Sequence, residues 1–255
     1  MLETLGIVQL CIPHHSSSRF SSDLLSRRLA GRSVLEWIVR RVTDAQQLDG
    51  VIALTDDFAA HPEITAAIPP DVPVYLSQAD DGLTRVVEAV EKYPCRSVVL
   101  LSVDNPFVDP AVIHRLVFTA HAHPEWDYIG YRQRDGRPSV MSQVGVFAEW
   151  CTSRALKEAH RKAEAPADRM SATQYIYSHP ELFQLRLLSA PDALDRDDLR
   201  LRISCEEDWE HAAMIAEALG EASLEWQSVA GLLDSQPAIR EQMARLNNVT
   251  ETIDS

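Results

Sequence analysis

The sequence lacks any long hydrophobic run and any cluster of basic residues. No stretch approaches the roughly 20 apolar residues that a membrane-spanning helix needs, so a membrane partner is not expected. The formal net charge of the 255-residue chain is −14, which would repel a nucleic-acid backbone unless a basic patch compensated for it. We therefore expect neither a membrane nor a nucleic acid as the partner.

Cysteines are few, scattered and without a CxxC pair, at positions 11, 95, 151 and 205. Because they lie mostly in or beside apolar stretches, they resemble reduced core thiols and favour a cytoplasmic location. The opening residues, MLETLGIVQLCIP, carry no basic region, and Pro13 soon breaks their apolar stretch. A signal peptide is not expected here.

Glycine is also scarce, with 9 residues in the chain, and no P-loop or dinucleotide-binding glycine pattern is present. The stretch IPHHSSSRFSSDLLSRRLAG, which follows the first apolar run, is instead rich in serine and arginine. It has the N–H groups and cations to bind phosphates, but its composition equally fits a polar surface loop. His14 and His15 within it are open to the same two interpretations, a functional pair or a solvated one.

Short apolar runs alternate with helical patterns through Ala122. The runs GIVQLCIP, GVIALTDD, VPVYLS and SVVLLSVD are typical of strands buried on both faces. Between them, SVLEWIVRRVTDA and DDGLTRVVEAVEKY carry apolar residues at helical spacing, the first behind Ser33 as N-cap. This alternation predicts a doubly wound α/β fold with a mostly parallel sheet.

The second half is less regular, but no Ser/Gly-rich linker separates it from the first. We expect strands at DYIGYR, SVMSQVGVF and DLRLRIS, and helices at TSRALKEAHRKAEA and CEEDWEHAAMIAEAL. The prediction is a single domain over residues 1–255, with a flap or dimerisation region at about 132–189.

Polar residues follow the predicted strands where each one ends. Asp104 comes directly after the run SVVLLSV, while Asp56 and the segment 77–81 follow two other strands. Ligands of doubly wound folds bind beyond the carboxyl ends of the strands. We therefore expect these residues to share one edge of the sheet.

These stretches, in this order, resemble the cytidylyltransferases that make CMP-activated acidic sugars, and their relatives in spore-coat polysaccharide synthesis. The family's LTGDCPLIDP corresponds to LSVDNPFVDP here, and its LRLTVDTPEDLE to LRLRISCEEDWE. The likeness runs in order from about Ile7 to Asn247. It implies a three-layer α/β/α, Rossmann-like nucleotidyltransferase fold of the glycosyltransferase-A type.

The resemblance implies transfer of a nucleotidyl group from CTP, or another nucleoside triphosphate, to a sugar substrate in polysaccharide or glycan biosynthesis. It also implies Mg²⁺ as cofactor and a homodimer. The implied catalytic residues are Arg19, Arg85 and Asp104, with Asp104 also the metal ligand. The implied nucleotide-binding residues are Pro13, His14, Ser16, Ser17, Ser18, Gln78 and Asp81.

The chain departs from the family pattern at charged positions. Asp23 stands where the family has the phosphate-binding lysine, and Ser204 where it has a second metal-binding aspartate. Gln143 and Gly145 replace an acidic pair. Two alternatives follow: an active nucleotidyltransferase in which Glu206 or Asp208 helps Asp104 hold the metal, or a non-catalytic relative that keeps the pocket as a binding or regulatory module.

Overall fold

The computed structural model of the chain describes residues 1–10, 26–29, 31–56, 66–220 and 223–253. Within these residues a seven-stranded sheet lies between two layers of helices. The three-layer α/β/α arrangement predicted from the sequence is confirmed. Among the described helices, none is both long enough and apolar enough to cross a membrane.

The main sheet is mostly parallel. Its strands, in spatial order, are β5 (Val74–Leu76), β4 (Gly50–Thr55), β1 (Leu2–Gln9), β6 (Cys95–Ser102), β8 (Glu149–Thr152), β7 (Tyr128–Arg132) and β9 (Leu185–Ser189). Only β8 runs antiparallel to its neighbours in this sheet. A separate small hairpin joins β2 (Arg28–Leu29) to β3 (Arg32–Ser33).

Helices cover both faces of the sheet. One face packs against α1 (Val34–Thr43), α3 (Pro110–Ala122), α7 (Glu206–Leu219), α8 (Trp226–Asp234) and α9 (Pro237–Ile253). The other packs against α2 (Gly82–Lys92), α4 (Ser153–Lys162) and α6 (Gln174–Ser178), while the short α5 (Pro166–Arg169) precedes α6. The sheet is therefore buried on both sides, which accounts for its continuous apolar runs.

The two helices predicted in the first half form as their patterns indicate. Ser33 caps α1 by accepting a hydrogen bond from the Glu36 N–H at 3.1 Å, and Asp81 caps α2 through the Thr84 N–H at 2.8 Å. The predicted apolar stripes of both helices are buried: Val34, Leu35, Ile38 and Val42 on α1, and Leu83, Val86, Val87 and Val90 on α2.

Two predicted strands are wrong. SVMSQVGVF forms a short 3₁₀ turn at Ser139–Met141 followed by irregular chain, and DLRLRIS is also irregular. The two segments meet at one point, where the carbonyl of Gln143 accepts hydrogen bonds from the N–H groups of Leu201 and Arg202. Gly145 then turns the chain at φ +65°, so the pairing does not extend into a ladder.

The region at about 132–189 contributes β8 and β9 to the main sheet, and the sequence patterns predicted neither strand. The flap or dimerisation role of this region stays a prediction. One part of it, the segment before α6, packs tightly on the start of α2. A Cβ added at Gly82 would lie 2.5 Å from the Met170 carbonyl oxygen.

Glycine is therefore required at position 82, and Gly82→Ala tests the close approach. We expect the variant to lose about 1–3 kcal/mol of unfolding free energy, because the added methyl group meets backbone that cannot rotate away. Urea denaturation followed by circular dichroism measures the loss.

Gly50→Ala is the matched control, since its new Cβ would be 3.9 Å from the nearest atom, Leu5 Cδ1. Equal stabilities of the two variants would show that the contact at Gly82 is not tight.

Candidate functional site

A cavity of about 760 Å³ opens where the central strands end. Gln9 of β1, Leu54 of β4 and Ser102 of β6 line it together. The residues between α4 and α6 form its other wall, including Arg169, which packs over the start of α2. The sequence prediction that the strand ends converge on one site is thus matched by a cavity at that edge.

The predicted site residues fall into three groups. Asp81 and Arg85 line the cavity, and Asp104 is ion-paired to Arg202, which also lines it. Gln78 is exposed and is not among the lining residues. The others lie outside the described residues, so their roles stay predictions: Pro13, His14, Ser16, Ser17, Ser18 and Arg19.

Asp81 links the cap of α2 to the opposite wall of the cavity. Its Oδ2 accepts hydrogen bonds from the Thr84 hydroxyl at 2.7 Å and from Arg169 Nε at 3.2 Å. Burial raises the pKa of Asp81, but the hydrogen bonds from Thr84 and the charge of Arg169 outweigh it and hold that pKa below its ordinary value. Asp81 is therefore an ionised structural anchor at neutral pH.

Arg85 ties together the ends of two strands. Its Nε donates to the Ala79 carbonyl at 2.7 Å, and its Nη2 lies 3.3 Å from Asp56 Oδ2 at the end of β4. The guanidinium is buried and reaches the cavity wall with its charge balanced by Asp56. Asp56 is thus brought to the site edge, as the sequence predicted.

Asp104 forms an ion pair at the tip of β6. Both Nε and Nη2 of Arg202 donate to its Oδ2, the first at 3.0 Å. Its other oxygen, Oδ1, and the neighbouring Asn105 Oδ1 are buried acceptors that receive no hydrogen bond from the described residues. Unpaired buried acceptors cost about 1–3 kcal/mol each, and they are a feature of functional sites.

The sequence profile of the cytidylyltransferase family matches residues 14–233. The chain belongs to the cytidylyltransferase family. It is 26% identical over 212 residues to the spore coat polysaccharide biosynthesis protein SpsF of Bacillus subtilis, covering 80% of this chain and 84% of that one. The family assignment made from the ordered motifs is therefore confirmed.

Solved structures share the fold. A cytidylyltransferase from Leptospira borgpetersenii superposes with a TM-score of 0.75 at 17% identity, over 93% of this chain and 95% of that one. A CMP:2-keto-3-deoxy-manno-octonic acid synthetase complexed with CTP gives 0.59 at 11% identity, over 85% and 99%. At these identities the likeness establishes the nucleotidyltransferase fold and no more.

Ser204 occupies the position at which the family resemblance implies a second metal-binding aspartate. In this cytidylyltransferase-family chain its hydroxyl is part of a hydrogen-bonded group. Ser204 donates its hydroxyl to Asp208 Oδ2 at 2.8 Å and accepts from Arg200 Nη2 at 2.7 Å. Asp208 turns inward, but Arg200 pairs with both of its oxygens, at 2.6 and 3.1 Å. Glu206 points outward to Arg27 at 2.5 Å.

These residues do not fit the two-carboxylate Mg²⁺ site that the family resemblance implies. Of the carboxylates that the structure describes here, Asp104 offers one oxygen beside a guanidinium, and Asp208 is neutralised by Arg200. Across the described part of the chain, no group of three or more His, Cys, Asp or Glu residues is arranged to hold a metal ion. Neither Glu206 nor Asp208 replaces the missing ligand.

The cavity residues that were not predicted from the sequence include Glu149, Arg169, Tyr177 and Arg202. Arg202 had a detectable signal, because it stands where the aligned family motif has threonine. Glu149 had none, since it opens a short strand that follows an irregular segment. Its Oε1 accepts hydrogen bonds from the Tyr128 hydroxyl at 2.5 Å and the Thr173 hydroxyl at 2.8 Å.

We expect the double substitution Arg202→Thr with Ser204→Asp to raise Mn²⁺ affinity at least tenfold, because it frees Asp104 and supplies a second carboxylate. Titration of free Mn²⁺ followed by electron paramagnetic resonance measures the affinity, and the single variant Ser204→Asp is the control. Tight Mn²⁺ binding by the unaltered protein that is lost in Asp104→Ala would contradict the assignment.

Glu149→Gln tests the burial of the carboxyl group. Burial raises the pKa of Glu149 above its ordinary value of 4.5, so the folded protein binds this proton more tightly than the unfolded chain. Stability is therefore lost as pH rises from about 4.5 through the folded pKa. Because glutamine keeps the Oε1 acceptor, the variant should exceed wild type in unfolding free energy at pH 7.

The difference should shrink at pH 4, where the wild-type carboxyl group is mostly protonated in both states. Urea unfolding at the two pH values measures it. A difference that does not change with pH would show that Glu149 carries no burial cost.

Proposed function

We propose that the protein transfers a cytidylyl group from CTP to a sugar, releasing pyrophosphate and a CMP-sugar for polysaccharide or glycan biosynthesis. The observation that carries the proposal is the cavity at the carboxyl ends of β1, β4 and β6, in a chain of the cytidylyltransferase family. A homodimer is part of the proposal and depends on the family likeness.

The size and position of the cavity support two substrates side by side. Its volume of about 760 Å³ is within the range of small-molecule sites, roughly 300–1,000 Å³. The cavity extends from the β4 and β1 ends across β6 to Glu149 on β8. We assign the nucleotide to the β4–β1 side, where the family's phosphate loop follows the first strand, and the sugar to the β8 side.

The transfer needs positioning and charge compensation more than covalent chemistry by the protein. An oxygen of the sugar attacks the α-phosphorus of CTP, and the bond from that phosphorus to the bridging oxygen breaks. Pyrophosphate leaves with the electron pair of that bond, and the proton of the attacking hydroxyl passes to solvent.

In this proposal Arg202, which lines the cavity, compensates phosphate charge, with Asp104 orienting its guanidinium. Arg85 holds the α2 cap region and the β4 end in register, so its part in the proposal is positioning. Arg19 stays a proposed phosphate contact that lies outside the described residues.

A non-catalytic binding module is the second candidate. The pairing of Asp104 with Arg202 and of Asp208 with Arg200 favours it, because both carboxylates are already neutralised by the protein. In that case the cavity would bind the nucleotide or the sugar without transfer.

Calorimetry of CTP binding, followed by a pyrophosphate-release screen over neutral, amino and acidic sugars, separates the two candidates. We expect saturable CTP binding and release with at least one sugar. Saturable binding without release for any sugar supports the binding module, and absence of CTP binding contradicts both candidates.

Arg202→Ala should weaken CTP binding at least tenfold, because it removes a cation and leaves Asp104 to repel the triphosphate. Arg186→Ala is the control for loss of an arginine charge, since Arg186 is exposed and is not among the residues lining the cavity. Equal CTP affinities of the two variants would contradict the placement of the phosphates.

A further inference from the structure

The acceptor side of the cavity contains a half-buried carboxylate, one oxygen of which accepts no hydrogen bond from the described residues. Glu149 lies opposite Leu100 across the β6–β8 pair and lines the cavity. Both of its hydrogen bonds, from the buried Tyr128 and Thr173, go to Oε1. No described residue donates a hydrogen bond to Oε2.

The arginines of the cavity do not neutralise Glu149. Arg202 is paired with Asp104, and Arg85 with Asp56. Arg169 uses all three of its nitrogens within the protein, on Asp81, Thr84 and two backbone carbonyls. No ion pair among the described residues includes Glu149.

This arrangement is suited to a cation and unsuited to an anion. A carboxylate that is partly withdrawn from water without a counter-charge is destabilised, and a bound ammonium group would offset that cost. A ligand carboxylate placed here would meet a like charge, and the described arginines that line the cavity are each paired with another carboxylate. Burial also raises the pKa of Glu149, as expected for a carboxyl group that lacks a cationic partner.

An aromatic ring and an amide complete the pocket around Glu149. Tyr177, like Glu149, lines the cavity, and its hydroxyl donates to Gln174 Oε1 at 3.0 Å. The centroid of the Tyr177 ring lies 6.1 Å from that of the Tyr128 ring, and the Tyr128 hydroxyl donates to Glu149. An ammonium group is attracted both by a carboxylate and by the face of a tyrosine ring.

We propose that the sugar acceptor carries a free amino group, that its ammonium binds Glu149 beside Tyr177, and that acidic sugars are disfavoured. The inference rests on the proposed function, because it assigns this end of the cavity to the acceptor. It makes Glu149 a specificity-determining residue, and it separates this protein from relatives that activate acidic sugars.

The test compares sugars that differ at one group, with the full-length protein saturated in CTP. Glucosamine, galactosamine and mannosamine supply the ammonium; glucose lacks it, N-acetylglucosamine masks it, and glucuronate carries the opposite charge. Saturation-transfer NMR and calorimetry measure binding, and pyrophosphate release measures transfer. At least one hexosamine should bind tenfold or more tightly than glucose, and glucuronate should bind most weakly.

Glu149→Gln should remove the preference for the hexosamine while leaving CTP affinity unchanged. Glu181→Gln is the matched control, because it makes the same change of charge at an exposed position outside the cavity lining. Circular dichroism establishes that both variants fold.

Preference for glucuronate or glucose, binding of no hexosamine, or a hexosamine preference that survives Glu149→Gln overturns the inference. These outcomes are distinct from failure of the proposed function, which would appear as absence of CTP binding or of pyrophosphate release with every sugar.

Discussion

The parallel pairing of β1 with both β4 and β6 is the constraint on which the rest of the site depends. Gln9 is in register with Leu54 on one side and with Ser102 on the other, so three strands end at the same level. All three residues line the cavity. The residues described just beyond the ends of β4 and β6, Asp56 and Asp104, therefore lie at one edge of the sheet, and Asp81 is found there too.

Paired charges dominate the described part of this edge. Each arginine of the cavity is matched with a carboxylate from a different segment: Arg85 with Asp56, Arg169 with Asp81, and Arg202 with Asp104. Such pairs hold the loops together, and removing one partner leaves the other uncompensated in a partly buried place. The ion pair between Arg202 and Asp104 also explains how the chain tolerates Ser204, since a positive charge already lies beside the remaining aspartate.

Much of the fold was predictable from the sequence, because strands buried on both faces and amphipathic helices have distinct hydrophobic periods. β1, β4, β6, α1 and α2 follow those periods closely. The segments 139–147 and 198–204 also have apolar content typical of strands, but the backbone hydrogen bonds between them all go to the carbonyl of Gln143. A residue pattern reports burial and carries no information on whether a neighbouring strand is available to pair.

The candidate site was predictable only where a residue matched a motif or followed a strand. Asp81, Arg85 and Asp104 were found in this way. Glu149 acts through a contact with a residue distant in sequence, Tyr128, and such a contact leaves no local pattern. The pairing of Arg202 with Asp104 is equally distant, and the only sign of it in the sequence is an arginine where the family motif has threonine. The position of Gly145 is a related case: a Cβ there would lie 2.6 Å from the Arg202 N–H nitrogen, so the family's acidic residue does not fit this backbone.

The most direct test of the account is a crystal structure of the protein with CTP. The account predicts cytidine over the β4–β1 side of the sheet, the triphosphate within hydrogen-bond distance of Arg202, and space left between the α-phosphate and Glu149 for an acceptor. CTP bound away from the strand ends, or with its phosphates remote from Arg202, would contradict it.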